Sequence, residues 1–231
     1  MKLTRLVPLA AAALVASAGL SGCAESGSHA ATVGGDVITT SDVSFLTRMQ
    51  CDALNAAAKN PAQASQVQTT PTRVVRAQMV NALVQAALND QLAKARHADY
   101  DRATYRAVMD QFEPAVQAAP AADRTRFRDL VGSFYRGQLE VYSIAQTALS
   151  SAGLTKPTDA ELQQAVASLQ DAYRKKVKVT INPVYGPDAN DVAGAVEPSL
   201  SLAVSTYAQQ ESAAQPPAAF VSSLPSNLRC G

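Results

Sequence analysis

Apolar positions recur along most of the chain at helical spacing, and short alternating runs interrupt them at few places. Residues 31–38, Ala-Thr-Val-Gly-Gly-Asp-Val-Ile, read as a small hairpin. Val33 ends one arm, Gly34-Gly35 supplies the positive φ angles of a tight turn, and Val37-Ile38 begin the return. Thr39 with Asp42 three residues on has capping-box spacing, so a helix opens there. Val43, Leu46, Thr47, Gln50, Cys51 and Leu54 form its mostly apolar face, and it stops before Asn60-Pro61. A polar loop follows to Pro71. The strongest helical pattern comes next: Val75, Met79, Leu83, Leu88 and Leu92, reinforced by Val80, Val84 and Ala87. Arg76, Asn81, Gln85 and Asn89 lie on its opposite face. The apolar stripe is wide enough for burial between several neighbours. Lys94, Arg96 and His97 fall in the last turn, where positive charge suits the helix dipole.

Asp101 can cap a third helix with Tyr105, Val108, Met109, Phe112 and Val116 on one face, and Pro114 is expected to kink it or end it early. Pro120 precedes a fourth helix, capped near Asp123 and carrying Phe127, Leu130, Val131, Phe134, Leu139, Tyr142 and Ile144, with Gly153 at its end. Thr158 with Glu161 is a second capping box. That helix leads into Val177-Lys178-Val179-Thr180-Ile181, whose alternation predicts a strand ended by Asn182-Pro183. Residues 199–205 read as a further strand or part of a helix. Phe220, Val221, Leu224 and Leu228 bring an apolar tail back before Cys230.

The order of these features resembles a known family. The stretch Val33 to Val43 is similar to the opening of SurA-type envelope chaperones, a Val-x-Gly-x-x-Ile-(Thr/Ser) hairpin running into a helix. Residues 73–95 resemble the family's next helix, and Pro157-Thr158-Asp159-Ala160-Glu161-Leu162 resembles the start of a later one. The strand with Asn182-Pro183-Val184-Tyr185-Gly186 is similar to the Asn-Pro-Arg-(Tyr/Phe)-Gly ending of small actinobacterial lipoproteins with a SurA-like N-terminal domain. Here Val184 replaces the arginine. The resemblance spans roughly residues 31–187. It implies a mainly α fold: a helical SurA-like N-terminal domain with a short hairpin and a C-terminal strand that pairs to close it. Parvulin-bearing relatives carry a Gly-Gly-x-Leu-Gly stretch and a histidine pair. Neither is found here, so prolyl isomerase activity is not expected.

The first residues change the picture from fold to address. Lys2 and Arg5 form a basic head, and residues 6–20 an apolar run of 15 residues, short of the ~20 a membrane-spanning helix needs. Leu20-Ser21-Gly22-Cys23 resembles the bacterial lipobox, in which the Cys23 thiol takes the lipid before cleavage in front of it. The expected organisation is a lipoprotein signal peptide over 1–22, a flexible tether over 23–30, the helical domain over 31–187, and a C-terminal extension over 188–231 that packs back. The expected location is the cell envelope, lipid-anchored to the outer face of the membrane. His29 in the tether is expected to be solvated.

Export bears on the remaining cysteines. Cys51 and Cys230 are expected to pair, because two cysteines in an oxidising compartment favour a bond; the alternative is a buried thiol at Cys51 and a free terminal one.

Composition narrows the function classes. Trp is absent and aromatics are 5%, while there are 45 alanines, which suits helices and starves an all-β core. Twenty basic against 19 acidic residues leave no electrostatic footprint for nucleic acid. The two histidines stand apart from any cysteine cluster, so no metal and no cofactor is expected. No Gly-x-Ser-x-Gly elbow, Walker loop or His-Glu-x-x-His occurs, and no catalytic residue is assigned. Arg174-Lys175-Lys176 with Lys178 reads as a solvated helix end or as a contact for anionic headgroups. Met109, Phe112, Phe134 and Tyr135 are the candidate client-binding residues. They either pack in the core or line a shallow apolar cradle. The expected function is a lipid-anchored, non-enzymatic chaperone holding exported unfolded polypeptides; the alternative is an adaptor binding one folded envelope partner protein.

Overall fold

The computed structural model describes residues 29–185, 205–207, 210 and 216–231. The expected signal peptide, Cys23 and the run at 199–204 lie outside the described residues. The chain is mainly α, with two small antiparallel sheets. A hairpin of β1 (His29–Val33) and β2 (Asp36–Thr39) turns through Gly34, the residue of the Gly34-Gly35 pair that takes a positive φ, +60°. Five long helices follow: α1 (Thr40–Lys59), α2 (Thr72–Arg96), α3 (Arg102–Ala118), α4 (Arg124–Ser151) and α5 (Asp159–Arg174). Two-residue β3 (Thr70–Pro71) precedes α2, and β4 (Val179–Ile181) follows α5. The tail carries α6 (Ala218–Ser223) and β5 (Arg229–Cys230).

β4 pairs antiparallel with β1, Ala31 opposite Ile181 and Val33 opposite Val179, so the last strand of the domain closes on the first. The Asn-Pro step secures that junction. Asn182 donates its backbone N–H to the Ala30 carbonyl at 2.9 Å and its side-chain amide to the His29 carbonyl at 3.3 Å. Val184, where the resemblance has arginine, is 76% exposed. His29 and Ala30, expected in the tether, belong to β1, and Ala30 is fully buried.

Local capping decides most helix starts. The Thr39 hydroxyl accepts from Asp42 N–H at 3.1 Å, Asp101 accepts from the Ala103 and Thr104 N–H groups, and Thr158 with Glu161 forms a full capping box. Asp123 departs from expectation. Its carboxylate makes no cap and instead takes Arg48 Nη2 at 2.9 Å, because an ion pair across the fold competes for it. α3 runs past Pro114 to Ala118 and is not ended there.

α2 is the central element. Val80, Val84 and Leu88 pack with Ala31, Val33, Ile38 and Val43 beneath the first sheet. α1 buries two faces: Val43 and Thr47, and also Phe45 and Met49, which meet Ala119, Phe127 and Leu130. Gln50, expected on the apolar face, is exposed. α4 turns small residues inward, burying Gly132, Gly137, Val141 and Ala145. A Cβ at Gly137 would stand 3.2 Å from Asn89 Cβ, so glycine lets α4 lie close on α2. Asn89, expected on the polar face of α2, is fully buried in consequence. Its Oδ1 accepts from the Gln85 and Gln170 amides at 2.9 and 3.0 Å, while its Nδ2 is buried without a hydrogen-bond partner.

The tail packs back onto α1 and α2. Phe220, Val221 and Leu224 form a small buried cluster, β5 pairs with β3, and Gly231 N–H donates to Asn55 Oδ1 at 2.9 Å.

Candidate functional site

α3 and α4 bring the candidate client-binding residues to one seam. The Phe112 and Tyr135 ring centroids are 5.0 Å apart, and Tyr135 meets Phe134 edge-on at 5.3 Å. Adjacent on α4, Phe134 and Tyr135 both remain half-buried. Met109, one turn before Phe112, is half-buried too, and borders a cleft of about 590 Å3 between the same two helices.

The lining of that cleft differs from the apolar cradle expected for it. Asp110 and Glu113 come from α3, and Arg128, Asp129 and Arg136 from α4. The apolar side chains of α3 turn toward the seam, which leaves its charged positions on the rim. Arg128 Nη2 reaches both Glu113 oxygens, at 2.8 and 3.0 Å. The Gln117 amide and this guanidinium hold the Glu113 carboxyl below its ordinary value. The carboxylates of Asp110 and Asp129 have no hydrogen-bond partner among the described residues and lie exposed at the surface. Gly132 shapes the floor: a Cβ there would lie 2.6 Å from the Tyr105 hydroxyl. Sequence reasoning passed over Gly132 and Gly137; the available signal was two glycines within a helical run, which mark close approach.

Arg136 also borders a neighbouring cleft of about 530 Å3 at the end of α2, with Asp90, Lys94, His97 and Glu140. Lys94 is held protonated above its ordinary pKa by its hydrogen bond to Asp90, with Nζ and Oδ2 2.6 Å apart. Burial pushes the Glu140 carboxyl up, with Arg136 opposing. His97 is exposed and takes the left-handed C-cap of α2 at φ 50°. Lys175, Lys176 and Lys178 are exposed beyond α5.

Cys51 on α1 and Cys230 in β5 are brought to disulfide distance, their Cα atoms 4.8 Å apart across a sequence separation of 179. Among the described residues no cluster of His, Cys, Asp or Glu could hold a metal ion, and no helix is long and apolar enough to cross a membrane. No family model, curated protein or solved structure matches the chain.

Proposed function

We propose that the chain is a lipid-anchored protein of the cell envelope, tethered through Cys23, that binds other exported proteins without catalysing a reaction. The observation that carries this reading is the α3–α4 face, where a half-buried aromatic group adjoins a cleft bordered by charges of both signs. Aromatic anchors beside charged groups suit recognition of a polypeptide surface. The hairpin closed by β4 has the form that the SurA-type resemblance implies, and so agrees with a chaperone-related scaffold.

The charge of the cleft favours the adaptor form over the general holdase. A holdase needs exposed apolar area that accepts many unfolded chains. Fixed charges such as Asp110, Asp129 and Arg136 reject partners that do not match them. The holdase form keeps one observation in its favour: Phe112, Phe134 and Tyr135 are only half-buried.

Photo-crosslinking from position 110 or 129 in intact cells tests the reading. One stoichiometric envelope protein is the expected product. A ladder of many clients, together with suppression of aggregation by the purified protein, would favour the holdase; no crosslink from either position would reject both. Cys23→Ser tests the anchor. It should leave the leader uncut and abolish labelling by a fatty-acid analogue, and persistent labelling would remove the lipoprotein reading.

A further inference from the structure

The tail that returns to α1 and α2 also completes a cavity of a different character. It lies beside the Cys51–Cys230 pair and has a volume of about 330 Å3. α1 contributes Arg48 and Asn55, the start of α2 contributes Thr72 and Arg76, and the tail contributes Asn227 and Arg229. No aspartate or glutamate lines it. Arg48 is held by Asp123 at 2.9 Å, but Arg76 and Arg229 have no carboxylate partner among the described residues. Arg229 donates from Nη1 to the Ser222 carbonyl, which orients the guanidinium and leaves its other nitrogens for a ligand. Asn55 has its oxygen occupied by Gly231 N–H, so its amide nitrogen is the end left to donate. α2 begins at Thr72 after a proline that provides no side-chain cap, and the positive end of this 25-residue helix therefore borders the cavity.

We propose that this cavity binds a phosphate group. Several donors from three elements converge there without a competing carboxylate. Two guanidinium forks with amide donors match the oxygens of a phosphoryl group, and the helix end adds to the same field. The phosphate can come from a phospholipid headgroup or from a soluble phosphate ester. A third of the polar lining belongs to the tail, which is held by the two-residue β3–β5 pairing, by the Phe220 cluster and by Cys51–Cys230. The site is therefore tied to the state of that cysteine pair: reduction removes one of the three holds that keep Asn227 and Arg229 beside the other donors.

Titration of the oxidised chain with inorganic phosphate, followed by calorimetry, tests this. Saturable binding at one site is expected, weakened about tenfold by Arg76→Gln, the loss of one charge-assisted contact. Arg76 is exposed on α2, so the variant should keep the circular dichroism spectrum of the parent. Lys156→Gln, an equal loss of charge in the turn between α4 and α5, should leave affinity unchanged. Reduction of the cysteine pair should weaken binding at least as much as Arg76→Gln. Sedimentation with phosphatidylglycerol vesicles but not phosphatidylcholine vesicles, lost in Arg76→Gln, would assign the headgroup as the source. Phosphate binding without Arg76-dependent sedimentation would assign a soluble ester. No saturable phosphate binding, or equal weakening by Arg76→Gln and Lys156→Gln, overturns the proposal. Unchanged affinity after reduction overturns the tail's part in it.

Discussion

Gly137 offers the sharpest test of how α4 lies on α2, because helix propensity and packing predict opposite signs there. Replacing glycine by alanine inside a helix is by itself stabilising by ~0.5–1 kcal/mol. At position 137 the new Cβ would meet Asn89 Cβ at 3.2 Å, Asp90 N at 3.6 Å and Ala86 O at 3.7 Å. The first distance is tighter than an ordinary contact. All three atoms belong to the α2 backbone or to the carbon next to it, so none can rotate out of the way. Overpacking of this kind costs ~1–3 kcal/mol. The net expectation is a loss of about 1 kcal/mol for Gly137→Ala and about 3 kcal/mol for Gly137→Val, whose two further methyls point into α2. At ~2–4 °C per kcal/mol for a domain of this size, the melting temperature should fall by about 3 °C and about 9 °C. Thermal unfolding by far-ultraviolet circular dichroism, with the cysteine pair oxidised, reads both. A Gly137→Ala protein melting at or above the wild type would show that propensity prevails and that the helices are not in close contact.

Four further outcomes follow from single features. Non-reducing mass spectrometry should find Cys51 and Cys230 joined; in the chain-entropy picture a bond across 179 residues stabilises by up to ~5 kcal/mol, so Cys230→Ser should lower the denaturation midpoint strongly, and two free thiols in the native protein would exclude the bond. Thr158→Ala should destabilise α5 by ~1 kcal/mol, seen as faster hydrogen exchange in its first turn. The partner of that cap, Glu161, is held below its ordinary 4.5 by hydrogen bonds from the Thr158 N–H and hydroxyl, so its contribution is present above that value and lost as pH falls through the lower folded value; exchange in that turn should rise in acid, and a pH-independent rate would refute the cap. Glu140 has the opposite sign: burial raises its pKa, so the stability linked to its proton is full below the ordinary value and lost as pH rises through the folded one. Glu140→Gln should therefore raise the melting temperature at pH 7 and leave it unchanged near pH 3, and a lower value at pH 7 would contradict the burial argument.

What could be read from the chain alone was the part set within a few residues. Thr39 with Asp42, Asp101, and Thr158 with Glu161 satisfy amides one turn away, so their helix starts are written locally. The apolar period of 75–92 likewise announced a helix buried among neighbours, and the alternation at 177–181 a strand, although the ladder itself holds only Val179–Ile181. Positions whose environment comes from afar were not legible in this way. Asp123 reads as a cap until Arg48, 75 residues earlier in the chain, takes its carboxylate. Asn89 reads as a surface residue until Gly137 brings α4 onto it and Gln170 arrives from α5. The α3–α4 cleft was expected to be apolar because helical spacing shows which side chains share a face. Which part of that face the neighbouring helix covers depends on how the helices meet, and here the seam takes Phe112 and Tyr135 and leaves Asp110, Asp129 and Arg136 outside. The cavity beside the cysteine pair is the extreme case: its donors come from α1, α2 and a tail more than 120 residues further on, and only the fold sets Arg48, Arg76 and Arg229 around one space. Periodicity and capping are short-range, so they determine where helices begin and which sides are greasy; charge pairing and cavity shape depend on distances between remote segments, which tertiary packing alone decides.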